Sequence, residues 1–166
     1  MATTITASID PARSRSDAHT EDGHPIAIDG HPPDGDGSAP SPKETLLAAL
    51  AGCTAIDVAS ILRKKRQGAT RYEIAVSAES RDEHPKIFVA ITVEHRVSGE
   101  VEAEALRRSI ELSATRYCPV NAMLSASATI EHRYSLVRPD GERMEALVAV
   151  TGPEGPRVAE AGGQGG

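Results

Sequence analysis

The sequence predicts an α+β fold with a largely antiparallel sheet, and three observations predict it. Two neighbouring segments, Thr70–Ser80 and Lys86–Val97, alternate apolar and polar residues, the pattern of paired strands with one buried face. The segment from Thr45 to Arg66 has no proline and is apolar or small almost all round, the pattern of an inner helix. The elements follow in the order β-β-α-β-β-α-α-β, without the strict strand–helix repeat of a parallel sheet.

Taken from the start, Thr3–Asp10 alternates well enough for a short strand, and His24–Asp29 predicts a second. Arg13, Arg15 and several acidic residues between them read as a polar connection. Gly30 to Pro40 consists almost wholly of turn formers and is loop. Helix-start signals then coincide. Ser41 can cap, Pro42 suits the first helical position, and Glu44, three residues after Ser41, completes a capping box. Gly52 is the one weak point before Gln67-Gly68 closes the helix. Its nearly continuous apolar surface predicts burial on most sides.

The hairpin Thr70–Ser80 and Lys86–Val97 turns at Arg81–Pro85 and ends at Ser98-Gly99. Val101–Arg116 reads as an amphipathic helix, with Ala105, Leu106, Ile110 and Leu112 as its apolar residues. Pro119 through Ser127 can begin a second short helix, and Thr129–Val137 looks like the last strand. Residues 1–138 are therefore expected to form one domain. Residues 139–166 are expected to be a flexible C-terminal tail, with Ala146–Val150 the one patch able to add a strand.

A chain of 166 residues has the size of one domain. It holds no Trp, one Phe and three Tyr, so its core must be aliphatic and marginal for a lone domain, a hint of an oligomer. A net charge of −6 argues against nucleic acid as the main partner, which requires a basic footprint. The basic run Arg63–Arg66 falls where a helix should end and reads as a favourable interaction with its dipole. No apolar stretch approaches the ~20 residues that span a bilayer, so no membrane association is expected. The N-terminal residues lack the pattern of a signal peptide, and the cytoplasm is the expected compartment, where structural disulfides are rare.

The chemistry rests on the only two cysteines, Cys53 and Cys118. Cys53 lies inside the apolar helix, where the plain reading is a small buried hydrophobe. Asp57, one turn along, would raise the pKa of its thiol. Glu44 lies nine residues before Cys53, roughly 14 Å along a helix axis, and is first of all a cap. Cys118, just before a proline at a helix start, sits near unpaired backbone N–H groups that favour thiolate, and local physics names it the better nucleophile. Whether two sulfurs 65 positions apart can meet is not legible locally. The six histidines show no metal-ligand spacing, and no glycine loop of nucleotide-binding type is present. No cofactor is expected.

Ser41–Cys53 (SPKETLLAALAGC), the following TAIDV, and Tyr117–Leu124 (YCPVNAML) together resemble the OsmC/Ohr family, closest to a divergent OsmC-like branch. The likeness covers roughly Ile26 to Leu136. These are osmotically inducible and organic hydroperoxide resistance proteins, and the resemblance implies a stress-response thiol peroxidase. It implies an intertwined homodimer with antiparallel sheets around long central helices and active sites at the subunit interface. Cys53 is then the peroxidatic cysteine, passing through a sulfenic acid, and Cys118 the resolving cysteine that closes a disulfide with it. This reverses the local ranking of the two thiols. The substrate would be an organic hydroperoxide and the electron donor a cellular dithiol. Family peroxidases hold their nucleophile as thiolate with a Glu and an Arg. Here Lys43 takes the place of that Glu and Glu44 follows one residue later, while Arg13 and Arg15 are the only arginines before the helix; the candidates are Glu44 with Arg15, or Arg13 in its place. The alternative is a non-catalytic member, a redox-responsive or small-apolar-ligand-binding dimer that has lost this activating pair.

Overall fold

A computed structural model of the chain describes residues 2–159, which divide into two compact units, one ending at Ala48 and one starting at Ala49. In the first unit, β1 (Ile5–Asp10), β2 (Arg15–Thr20) and β3 (Pro25–Ile28) form an antiparallel sheet in that order. The segment expected as a polar connection is therefore mostly strand. Ala18 is the only apolar residue of β2 and its one buried residue, so the segment has no alternation to read. Its conformation comes from partners on both sides. After β3 the loop is pinned by Asp29, which is 1% exposed. Its carboxylate accepts from the Ser38 hydroxyl at 2.7 Å, the Ser38 amide at 2.8 Å and the Gly30 amide at 2.8 Å. These bonds, the Ser38 hydroxyl's first, hold the Asp29 carboxyl below its ordinary pKa.

The long helix α1 (Pro42–Lys64) begins with the expected capping box. The Glu44 carboxylate accepts from the Ser41 amide at 2.8 Å, and the Glu44 amide donates back to the Ser41 hydroxyl at 3.3 Å. Burial on most sides does not hold within the single chain. Leu50, Thr54, Val58 and Leu62 are buried at spacings of four, one face of the helix, whereas Ile56 is 72% exposed. With a mean hydropathy of 1.9 over its best window, α1 is also the one described helix long and apolar enough to cross a membrane. A count of unbroken apolar residues misses this, because Thr, Gly and Asp interrupt the run. Core helices meet the same criterion, and Val58 and Leu62 lie in the hydrophobic core.

The second unit contains a five-stranded sheet ordered β4 (Gly68–Ser80), β5 (Phe88–Glu100), β6 (Thr129–Val137), β7 (Arg143–Thr151) and β8 (Arg157–Val158). All neighbours are antiparallel except β5 and β6, which run parallel. A parallel pair requires a crossover, and residues 101–128 supply it. The crossover contains α2 (Ala103–Leu112), a π-turn (Ser113–Tyr117) and α3 (Pro119–Leu124). Leu106 and Ile110 of α2 join Val97, Leu136 and Val148 in the aliphatic core. Gly99 lies inside β5, beside a bulge in its partner, rather than ending the hairpin. Its φ is +127°, and a Cβ there would run into the Gly68 carbonyl, so only glycine fits.

The C-terminal expectation requires correction. Residues 143–151 are not a flexible tail but the full-length antiparallel partner of β6, with β8 added beyond them. Val148 and Ala149 are completely buried, so the ALVAV patch forms a strand for the ordinary reason that it covers core. Residues 160–166 of the expected tail lie outside the described residues.

Candidate active site

The site is built from the π-turn upward. In an α-helix the Cys118 amide would bond the Ala114 carbonyl; here it donates to the Ser113 carbonyl at 3.0 Å instead. Position 119 is proline and has no N–H to offer, so the Ala114 carbonyl loses both candidate backbone donors. The Asn121 side chain fills that place, donating through Nδ2 to Ala114 at 2.8 Å. Cys118 is thereby left as the N-cap of α3, its sulfur accepting from the Asn121 amide at 3.3 Å. Where the sequence predicts one helix through Arg116, the structure ends α2 at Leu112 and widens the last turn. The widening is what sets the direction of Cys118.

The two sulfurs meet. The thiols of Cys53 and Cys118 and a carboxylate oxygen of Asp57 all lie within 4.8 Å of one another. Cys53 and Asp57 share a face of α1 because residues four apart stack along a helix. The Ser113 hydroxyl donates to Asp57 Oδ2 at 3.0 Å, and the Thr54 hydroxyl lies 3.0 Å from Ser113. Since the single Ser113 proton goes to the carboxylate, Thr54 is the donor to Ser113. The sequence spacings predict no metal site, yet the fold gathers two sulfurs and a carboxylate, groups of metal-ligand type.

Burial removes the local case for Cys118 as the better nucleophile. Cys118 is 3% exposed, and desolvation, reinforced by the neighbouring Cys53 sulfur, pushes its pKa up to about 12 despite the bond from Asn121. Cys53 is only partly buried. The helix-start argument for a Cys118 thiolate is thus outweighed by the loss of water.

Behind Cys118 runs a buried polar chain that the sequence reading passed over. Asn121 Oδ1 is 2.9 Å from His132 Nε2, His132 Nδ1 is 3.5 Å from His95 Nε2, and His95 Nδ1 is 2.7 Å from the Tyr72 hydroxyl. Because Asn121 Nδ2 donates to a carbonyl, its Oδ1 faces His132 as acceptor, and every later donor follows: His132 Nε2–H, His95 Nε2–H, then Tyr72 O–H. Both rings are fully buried. Desolvation drives the pKa of His95 well below its usual value and that of His132 to about 4. Strand parity could have found them. His95 shares its face of β5 with the buried Ile91, Val93 and Val97, and His132 shares its face of β6 with the buried Ile130 and Leu136.

Glu44 and Arg15 lie in the first unit and are engaged there. Glu44 closes the capping box and lies 3.3 Å from His31 Nε2. The Arg15 guanidinium donates to Asp17 at 2.8 Å and to the Ser38 hydroxyl at 2.6 Å.

A mixed sheet with helical crossover, carrying one cysteine on a long helix and a second on the crossover, defines the class: a cysteine-pair α+β protein. The chain belongs to the OsmC family, since residues 35–133 match the family model described as OsmC-like protein. It is similar to protein YhfA of Escherichia coli K12, 41% identical over 116 residues that cover 69% of this chain and 84% of that one. A hypothetical protein of Aquifex aeolicus VF5 has the same fold at a TM-score of 0.74, with 26% identity over 83% of this chain and 98% of the other. An organic hydroperoxide resistance protein OsmC of Legionella pneumophila aligns with a TM-score of 0.60 and 14% identity, over 80% of this chain and 95% of the other.

Proposed function

We propose that the protein is a thiol-dependent peroxidase that reduces organic hydroperoxides, with Cys53 as nucleophile and Cys118 as resolving thiol. The observation that carries the reading is the approach of the two sulfurs to within 4.8 Å. The Cys53 thiolate attacks the O–O bond of the peroxide, gaining an oxygen as sulfenic acid, while the alkoxide leaves and is protonated to the alcohol. Cys118 then attacks the Cys53 sulfenic sulfur, the S–S bond forms, and hydroxide departs as water. A cellular dithiol reduces the disulfide and restores both thiols, which suits the reducing cytoplasm. The thiol asymmetry supports this division of labour, since a Cys118 held protonated is a poor first nucleophile. The Legionella pneumophila neighbour is an organic hydroperoxide resistance protein, a role of the kind proposed.

Glu44 and Arg15 enter the proposal through the family resemblance, as the pair that would favour the Cys53 thiolate. A homodimer is part of the same reading. Ile56 at 72% exposure and Leu46 at 40% leave an apolar flank of α1 that a second copy would cover.

The test is direct. Mixing reduced protein with cumene hydroperoxide and counting thiols should show both lost within minutes and recovered with dithiothreitol. Retention of both thiols would refute the peroxidase. A second reading, a non-catalytic ligand-binding or redox-responsive dimer, draws on the local engagement of Arg15 by Asp17 and Ser38. It requires Cys53→Ser to keep normal affinity for a small apolar ligand.

A further inference from the structure

The proposed cycle contains a step that the two cysteines cannot complete alone. Cys118 is 3% exposed and holds its proton firmly, so bulk water is poorly placed to remove it. The attack on Cys53 nevertheless has to expel that proton, because the product disulfide carries none. Of the acidic and histidine side chains among the described residues, Asp57 is the one grouped with both sulfurs, its carboxylate oxygen within 4.8 Å of each. It is held there. The Ser113 hydroxyl, itself oriented by Thr54, bonds Oδ2 and anchors the group with a single donor, well short of saturating two oxygens. Its charge is felt in the same interior, where it helps to push the Tyr72 hydroxyl upward after burial, the larger cause. The histidines do not compete for the proton: Asn121 stands between His132 and Cys118, and it touches the sulfur only through a backbone amide.

We propose that Asp57 is the proton carrier of disulfide closure, accepting the Cys118 proton as sulfur attacks sulfur and passing it to the departing hydroxyl. The inference rests on the peroxidase reading. One S–S bond forms and one S–O bond breaks; the Cys53 sulfur is reduced, the Cys118 sulfur is oxidised, and the Cys118 proton leaves in water. No further oxidant or base is required.

Asp57→Asn keeps the shape and the acceptor for Ser113 but cannot carry a proton. After one equivalent of cumene hydroperoxide, with a dimedone trap for sulfenic acid and mass spectrometry for disulfide, this variant should accumulate Cys53 sulfenic acid. Its disulfide should close about 100-fold more slowly at neutral pH, the usual scale of a lost general base. Its closure rate should climb about tenfold per pH unit, following the Cys118 thiolate fraction, whereas the unaltered protein stays nearly flat. Asp57→Glu, which restores a carboxylate, should recover most of the flat profile. A solvent deuterium isotope effect on closure in the unaltered protein reports the same transfer without any substitution. Closure in Asp57→Asn at the original rate and with the original pH profile, or the absence of an isotope effect, would overturn the role of Asp57. Absence of sulfenic acid in the unaltered protein would instead remove the peroxidase reading itself.

Discussion

The polar groups of the first unit and those of the second are satisfied in opposite ways. In the first, apart from the buried Asp29 carboxylate, the pairs are wet: Glu44 with Ser41, Arg15 with Asp17, Arg13 with Asp36 at 2.8 Å on the surface. In the second, around the two sulfurs, they are buried or half-buried: Thr54 with Ser113, Asp57 with Ser113, Asn121 with Thr151 and His132, Tyr72 with His95. Exposed pairs can exchange their partner for water at little cost, whereas a buried group that loses its partner keeps the full desolvation penalty. The two sulfurs therefore sit against the unforgiving kind of network, and substitutions should hurt unequally in the two units.

The largest expected effect belongs to Cys53→Ser, which should abolish hydroperoxide consumption while leaving the unfolding midpoint close to that of the unaltered chain. A variant that still turns over would move the nucleophile elsewhere. Next comes Asn121→Ala. It strips the donor from the Ala114 carbonyl and the acceptor from His132 at once, and should cost about 3 kcal/mol in urea unfolding. A loss below ~1 kcal/mol would mean that the second unit is as tolerant as the first.

The third prediction uses pH. His132 binds a proton near 6.5 when unfolded but only near 4 when folded. Above 6.5 neither state is protonated and full stability is present. As pH falls from 6.5 to 4 the unfolded chain gains a proton that the native protein refuses, so stability is lost across that window and levels below it. The share due to His132 should be about 3 kcal/mol, and His132→Asn should remove that share while the contribution of the equally buried His95 stays, measured by urea midpoints at several pH values. The smallest effect is reserved for the first unit. Ser41→Ala removes one end of the capping box and should cost about 1 kcal/mol. A larger loss would show that the exposed network carries more than its local bonds.

The same contrast explains what could be read in advance. The capping box, the two long strands, the amphipathic α2 and β6 were legible because each is written in adjacent residues. β2 was not, since RSDAHT becomes a strand only by lying between two others. The π-turn was not, because its cause is divided between Pro119 and a side chain seven residues from the carbonyl it serves. Cys53 and Cys118 were identified as a pair by motif resemblance, while their approach through space depends on a crossover that no local pattern encodes. Asp57 was visible as a neighbour of Cys53 one turn along, but its relation to Cys118 appears only in three dimensions.

The widened turn before Cys118 also makes this stretch a matter of counting. Were the same residues wound as ordinary helix, with the Cys118 amide on the Ala114 carbonyl, Cys118 and every later side chain would swing by roughly 100° around the axis. The second sulfur would then face away from the first, although every amino acid was unchanged. One fewer residue in the turn, by contrast, would make the Ser113–Cys118 bond an ordinary helical one and keep the sulfur where it is.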